Sequence, residues 1–178
     1  MNSEFERASA LIEHAIAGLS AQDLAWHAEG KWSSAEVLEH LARAFGGTVK
    51  GMQRALALPK PECRTMTFLE RLKIAVVVHC GYFPPGRKSP EMVVPRGIPA
   101  AEAVNFIRAN LRAMDEAIVQ CEQKFGSRCK IFPHPVLGPL TIPEWRKFHL
   151  VHTRHHMRQI ARMREQISAA RPAAAGSA

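Results

Sequence analysis

The chain has 178 residues, 47% hydrophobic and 22% charged, an ordinary globular composition that excludes a disordered, fibrous or disulfide-framework protein. Its 24 Lys and Arg against 16 Asp and Glu leave a net charge of +8, which favours anionic ligands. The basic residues are scattered, without a run of five or interleaved aromatics, and this disfavours nucleic acid as a partner. No apolar stretch approaches the roughly 20 residues of a membrane span; the greasiest, Ile74 to Phe83, is broken by His79 and Gly81. The start, MNSEFERASA, lacks the basic and apolar regions of a secretory signal, so a cytoplasmic location is expected. Cys63, Cys80, Cys121 and Cys129 show no CxxC pair and no zinc-ribbon spacing, and in a reducing compartment they read as free thiols. Cys80 follows His79, but sequence neighbours on a helix point about 100° apart, so adjacency alone does not make a catalytic pair.

A first helix is expected from Ser3 to Gly18, with Phe5, Ala8, Leu11, Ile12, Ala15 and Ile16 at helical spacing, Ser3 as cap and Gly18 as stop. One or two turns around Leu24 and Trp26 follow. Ser33 with Glu36 has the capping-box spacing, and Trp32 before it can pack on Val37 as a hydrophobic staple, opening a long second helix. Val37, Leu38, Leu41, Phe45, Met52 and Leu56 mark its apolar face, with His40 at the margin. Gly46-Gly47 either kinks this helix or permits close approach of a neighbour. Pro59 and Pro61 end it. Thr67 caps a segment from Phe68 to about Phe83 that reads as a helix, although its β-branched run Ile74 to Val78 also suits a buried strand. Pro84 to Pro99, with five prolines and two glycines, is an extended loop placed to line or cover a site. A third core helix spans Ala100 to Lys124 and stops at Gly126. Ile131 to Leu140 is a turn-rich connector bearing His134.

Thr141-Ile142-Pro143-Glu144 has capping-box spacing with proline in the first turn, and starts the last helix, expected to end near Ser168. Around its axis His152, His156 and Gln159 share one face with Trp145, His149 and Met163, while Lys147, Arg154, Arg158, Arg162 and Glu165 form a charged back. The histidines therefore point inward. Four long helices with irregular connections favour an all-α four-helix bundle with long crossover connections, one domain over residues 1–170, with residues 171–178 as a frayed tail. Histidines at i and i+4 can converge on one metal ion, and His40, on the inner margin of a helix that can run alongside the last, is the best third ligand. Hydrogen-bonded or exposed histidines without metal are the alternative, which weakens as more imidazoles face inward, because each buried ring needs partners for two nitrogens.

The string from His152 to Ile160, HTRHHMRQI, resembles the HxxHHxxQI signature closing the metal-binding helix of the DinB-like superfamily of bacterial four-helix-bundle metalloproteins. Trp32 to Leu41, WSSAEVLEHL, resembles the superfamily's earlier motif of tryptophan, helix cap and ligand histidine. His134 to Leu140 with Glu144-Trp145 is similar to an uncharacterised branch that carries an HPxxGxL element before the last helix. The resemblance implies His40, His152 and His156 as metal ligands, His155 turned aside, and Gln159 as a neighbour of the ligands or of substrate. His149 and His134 have no ligand role in that pattern, but either could approach the ion or a substrate.

Three histidines with no evident fourth protein ligand describe an open, catalytic type of site. Imidazoles suit zinc, nickel, iron or copper; zinc is expected, with nickel or iron as substitutes. The superfamily includes enzymes that use low-molecular-weight thiols such as bacillithiol, mycothiol or glutathione, which implies thiol-dependent S-transfer on a small molecule. Hydrolysis would use the same triad, and no dedicated general base or other catalytic residue stands out. The alternative from another class is a non-catalytic, metal-stabilised bundle that binds a ligand or another chain; a homodimer would suit such a bundle.

Overall fold

A computed structural model describes residues 1–61, 64–84, 86 and 88–170. The expected frayed tail, 171–178, and Cys63 lie outside the described residues. The fold is the expected bundle, with long helices α1 (Ser3–Ile16), α3 (Ser34–Leu56), α5 (Ala100–Phe125) and α6 (Ile142–Ala170), supplemented by short helices α2 (Ala21–Ala25) and α4 (Phe68–Ile74). Helix α3 packs mainly on α5, and α1 on α6, while α3 and α6 also touch. The core between them is built from residues such as Phe5, Phe45, Leu111, Ile118, Trp145 and Ile160, all at most 1% exposed. No helix among the described residues is long and apolar enough to cross a membrane.

The chain's local signals explain most of these elements. Asn2, rather than Ser3, caps α1: its side chain accepts from the Glu4 amide at 2.9 Å, and its own amide donates to the Asp115 carboxylate, tying the start of the helix to α5. Capping boxes open α2 at Ser20, α3 at Ser33 and α4 at Thr67. The run after Thr67 is helical, not a strand, and α4 continues as a π-helical turn over Ala75–His79. Helix α3 passes through Gly46-Gly47 as one helix. Gly46 faces Asn110, whose amide donates to the Ala42 carbonyl at 3.0 Å, so close approach is the reading that holds at this position. At Thr141 both the amide and the hydroxyl donate to Glu144 Oε2 at 2.8 Å, and α6 runs to Ala170, two residues past the expected end.

The segment expected to be a plain connector contains a small antiparallel hairpin, β1 (Lys130–His134) with β2 (Gly138–Thr141). Its turn is organised by His134, whose Nδ1 accepts the amides of Val136 and Leu137 at 3.1 and 3.2 Å. Periodicity does not reveal so short a ladder, because each strand carries a proline that removes a donor and neither shows the alternation that announces a sheet.

Candidate metal centre

The imidazoles of His40, His152 and His156 meet where α3 crosses α6. His152 and His156 lie one turn apart, and their Nε2 atoms are 2.9 Å from each other; His40 Nε2 lies 3.2 Å from His152 Nε2. One ligand atom from each ring falls within 4.8 Å of the others, and among the described residues no Cys, Asp or Glu joins the group. All three side chains are buried.

Contacts at the outer nitrogens determine which lone pairs face inward. His40 Nδ1 is 3.0 Å from the Val93 carbonyl, which can only accept, so Nδ1 carries the proton and Nε2 turns a lone pair toward its neighbours. His156 Nδ1 donates in the same way to Gln159 Oε1 at 2.8 Å. Gln159 is held in turn by donating its amide to His155 Nε2 at 3.3 Å. Two inward lone pairs thus face His152 Nε2, and one proton there cannot serve both well, whereas a cation meets all three nitrogens. Three neutral imidazoles with no carboxylate or thiolate are a donor set that fits a borderline divalent ion such as zinc.

Burial keeps these rings neutral. It pushes His156 down to about 3 and His152 well below the usual histidine range, with the neighbouring imidazoles adding to the effect. For His40 burial also wins, although the Val93 carbonyl opposes it. The unprotonated form needed for coordination is therefore the resting form at neutral pH.

Aromatic side chains wall the cluster. Trp32, expected to staple Val37, places its ring 5.2 Å from His40, and Phe148 stacks on His152 at 5.2 Å. Phe83 stacks on His155 at 4.6 Å and lies 5.7 Å from His152. Between the π-helical turn and Phe83 the chain passes through Gly81, at φ +67°, where a Cβ would lie 3.7 Å from Val151 Cγ1. π-Helical turns are often found beside functional sites.

His155 is outside the three-histidine cluster, with its Nε2 on Gln159; it is half-buried and its pKa is lowered by burial and by Arg158 and Arg162. His149 is fully buried. Because the Thr48 hydroxyl donates to the Ala44 carbonyl, His149 Nε2 must donate to Thr48 Oγ1, at 3.0 Å, and burial pushes its pKa to about 3. His134 is engaged in the hairpin turn and packs on Phe148 and Trp145, with a pKa pushed by burial to about 4. Cys80 is exposed at the end of the π-helical turn, whereas burial raises Cys121 to about 11. Two further contributors escape a reading of the chain. Val93 acts through its backbone and leaves no side-chain signal, and Phe83 sits beside a proline run that resembles ordinary loop.

A family model described as "Protein of unknown function (DUF1569)" matches residues 4–163. No curated protein matches. Among solved structures the chain is similar to YfiT from Bacillus subtilis, described as a probable metal-dependent hydrolase with an unusual four-helix bundle topology. The TM-score is 0.60 and the identity 14%, over 93% of this chain and 84% of that one. The four-helix bundle of YfiT is thus the fold of this protein.

Proposed function

The chain belongs to the DUF1569 family, and we propose that it is a metal-dependent enzyme acting on a small molecule, with His40, His152 and His156 as the ligands and zinc as the resident ion. The observation that carries this reading is the convergence of three Nε2 atoms, two of them with tautomers set by outer acceptors. When bound, such an ion supplies Lewis-acid chemistry that lowers the pKa of a thiol or a water beside it. The chain's own residues hold the three rings neutral, orient two of them through Val93 and Gln159, and screen the cluster from bulk water with Trp32, Phe83 and Phe148.

Thiol-dependent transfer is the preferred reaction class. Among the described residues no carboxylate joins the cluster to act as general base, and a thiol that ionises readily beside a cation needs less help from a base than water does. The basic surface suits an anionic low-molecular-weight thiol. Hydrolysis is the second reading, favoured by the description of YfiT.

The test is elemental analysis of purified protein and of His152→Ala, followed by assays of thiol conjugation and of ester hydrolysis before and after chelation. Stoichiometric zinc that disappears in the variant, with thiol conjugation abolished by chelation and the helical signal retained, is the expected result. Undiminished metal in the variant would remove the triad. A bundle that melts on chelation and turns over neither substrate would leave a structural ion in a non-catalytic protein.

A further inference from the structure

Glu39 precedes His40 on α3 and points about 100° round the helix from it. It is 1% exposed, an unusual burial for a carboxylate. Its oxygens accept three consecutive backbone amides from a distant segment: Arg96 at 2.8 Å on Oε1, then Gly97 at 2.8 Å and Ile98 at 3.1 Å on Oε2. Gly97, at φ +89°, provides the left-handed backbone on which successive amides can turn toward one anion. Burial alone would raise the Glu39 pKa, but the three amides and Arg43 outweigh it and hold the group below its ordinary value.

The same segment is gripped again one turn along α3. Arg43 lies 3.7 Å from Glu39 Oε1 and donates to the Met92 carbonyl at 3.1 Å. Between these two holds, the Val93 carbonyl accepts the hydrogen bond from His40 Nδ1. Apart from the 3₁₀ turn Glu91–Val93, the stretch from Met92 to Ile98 has no regular structure of its own.

We propose that Glu39 is a positioning residue of the imidazole cluster: by anchoring the 92–98 strap to α3 it keeps the Val93 carbonyl on His40 Nδ1, and so keeps the His40 Nε2 lone pair directed at His152 and His156. In its metal readout this inference rests on the metal-centre reading above; in its tautomer readout it does not. Glu39→Gln keeps the size of the side chain but removes the charge and turns an amide donor toward backbone amides. Gly97→Ala strains the strap at an exposed position and leaves Glu39 itself untouched.

Two measurements separate the possibilities. Long-range ¹H–¹⁵N NMR of the metal-free protein should show His40 as the Nδ1-protonated tautomer, becoming a mixture of tautomers in Glu39→Gln and in Gly97→Ala while His149 is unchanged. Chelator competition should show zinc binding 10- to 100-fold weaker in Glu39→Gln, the range expected when a partner of a ligand is lost. In a His40→Ala background the second substitution should add nothing. A single unaltered His40 tautomer in both variants, or an equal loss of zinc affinity with and without His40, would overturn the inference. Failure of the wild-type protein to bind zinc would overturn the metal-centre reading, and the tautomer result would still decide the role of Glu39.

Discussion

A histidine serves as a ligand through whichever ring nitrogen is free of its proton, and for His40 and His156 that choice is made outside the ring. The acceptor for His40 is a backbone carbonyl, which no substitution removes; the acceptor for His156 is Gln159, which can be changed. Gln159→Leu leaves His156 Nδ1 without its partner and frees the ring to rotate or to take the other tautomer. Zinc affinity should fall 10- to 100-fold, as read by competition titration, while Gln159→Glu should retain most of it because a carboxylate still accepts. Equal affinity in Gln159→Leu would show that packing alone orients the ring. At this scale the i, i+4 pair His152 and His156, and His40 on the facing helix, are visible in the chain as side chains of the right kind on the right faces. His149 is not distinguishable from them by spacing, since only its hydrogen bond to Thr48 and its full burial show it to be a core histidine.

Within elements, α3 shows how little residue identity says about local tolerance. Its glycines look equivalent in the chain, yet a Cβ at Gly47 would meet nothing within 4 Å, whereas one at Gly51 would sit 2.5 Å from the Phe132 ring. Phe132 is held there by stacking on Trp145 at 4.6 Å, so it has little room to withdraw. Gly47→Ala should therefore stabilise the protein by about 0.5–1 kcal/mol through helix propensity. Gly51→Ala should lose more to overpacking, about 1–3 kcal/mol, than propensity returns. Urea unfolding of the two variants beside the parent checks both signs; a stabilised Gly51→Ala would mean that the hairpin carrying Phe132 shifts freely. The hairpin and the π-helical turn were the elements least visible in the chain, one because prolines mask its ladder, the other because its β-branched residues fit helix and strand alike.

Across the whole molecule, a buried histidine, His149, and a partly buried one, His134, tie stability to pH. His134 has a folded pKa of about 4 and His149 of about 3, both depressed by burial from about 6.5 in an unfolded chain. Between those values the unfolded chain binds the additional protons, so stability is intact above about pH 6.5 and is lost as pH falls toward 4 and then 3. For His134 the loss amounts to at most about 3 kcal/mol. His134→Asn, whose side-chain oxygen can take over the Val136 and Leu137 amides, should flatten part of this acid limb in urea melts of metal-free protein between pH 4 and 8. An acid limb identical to the parent's would assign the effect to other groups.

The chain by itself determined the helices, their caps at Ser33 and Thr67 and the inward face of α6, because capping and amphipathicity depend on residues within about one turn of each other. The candidate triad was legible for the same reason, once two helical faces were set against each other. Tertiary structure alone decided the rest. It brings the Val93 carbonyl to a histidine 53 positions earlier, lays Phe83 over the cluster and wraps three amides around Glu39. Backbone carbonyls and amides are the same at every residue, so which of them meets a given side chain is settled only when the chain has closed on itself.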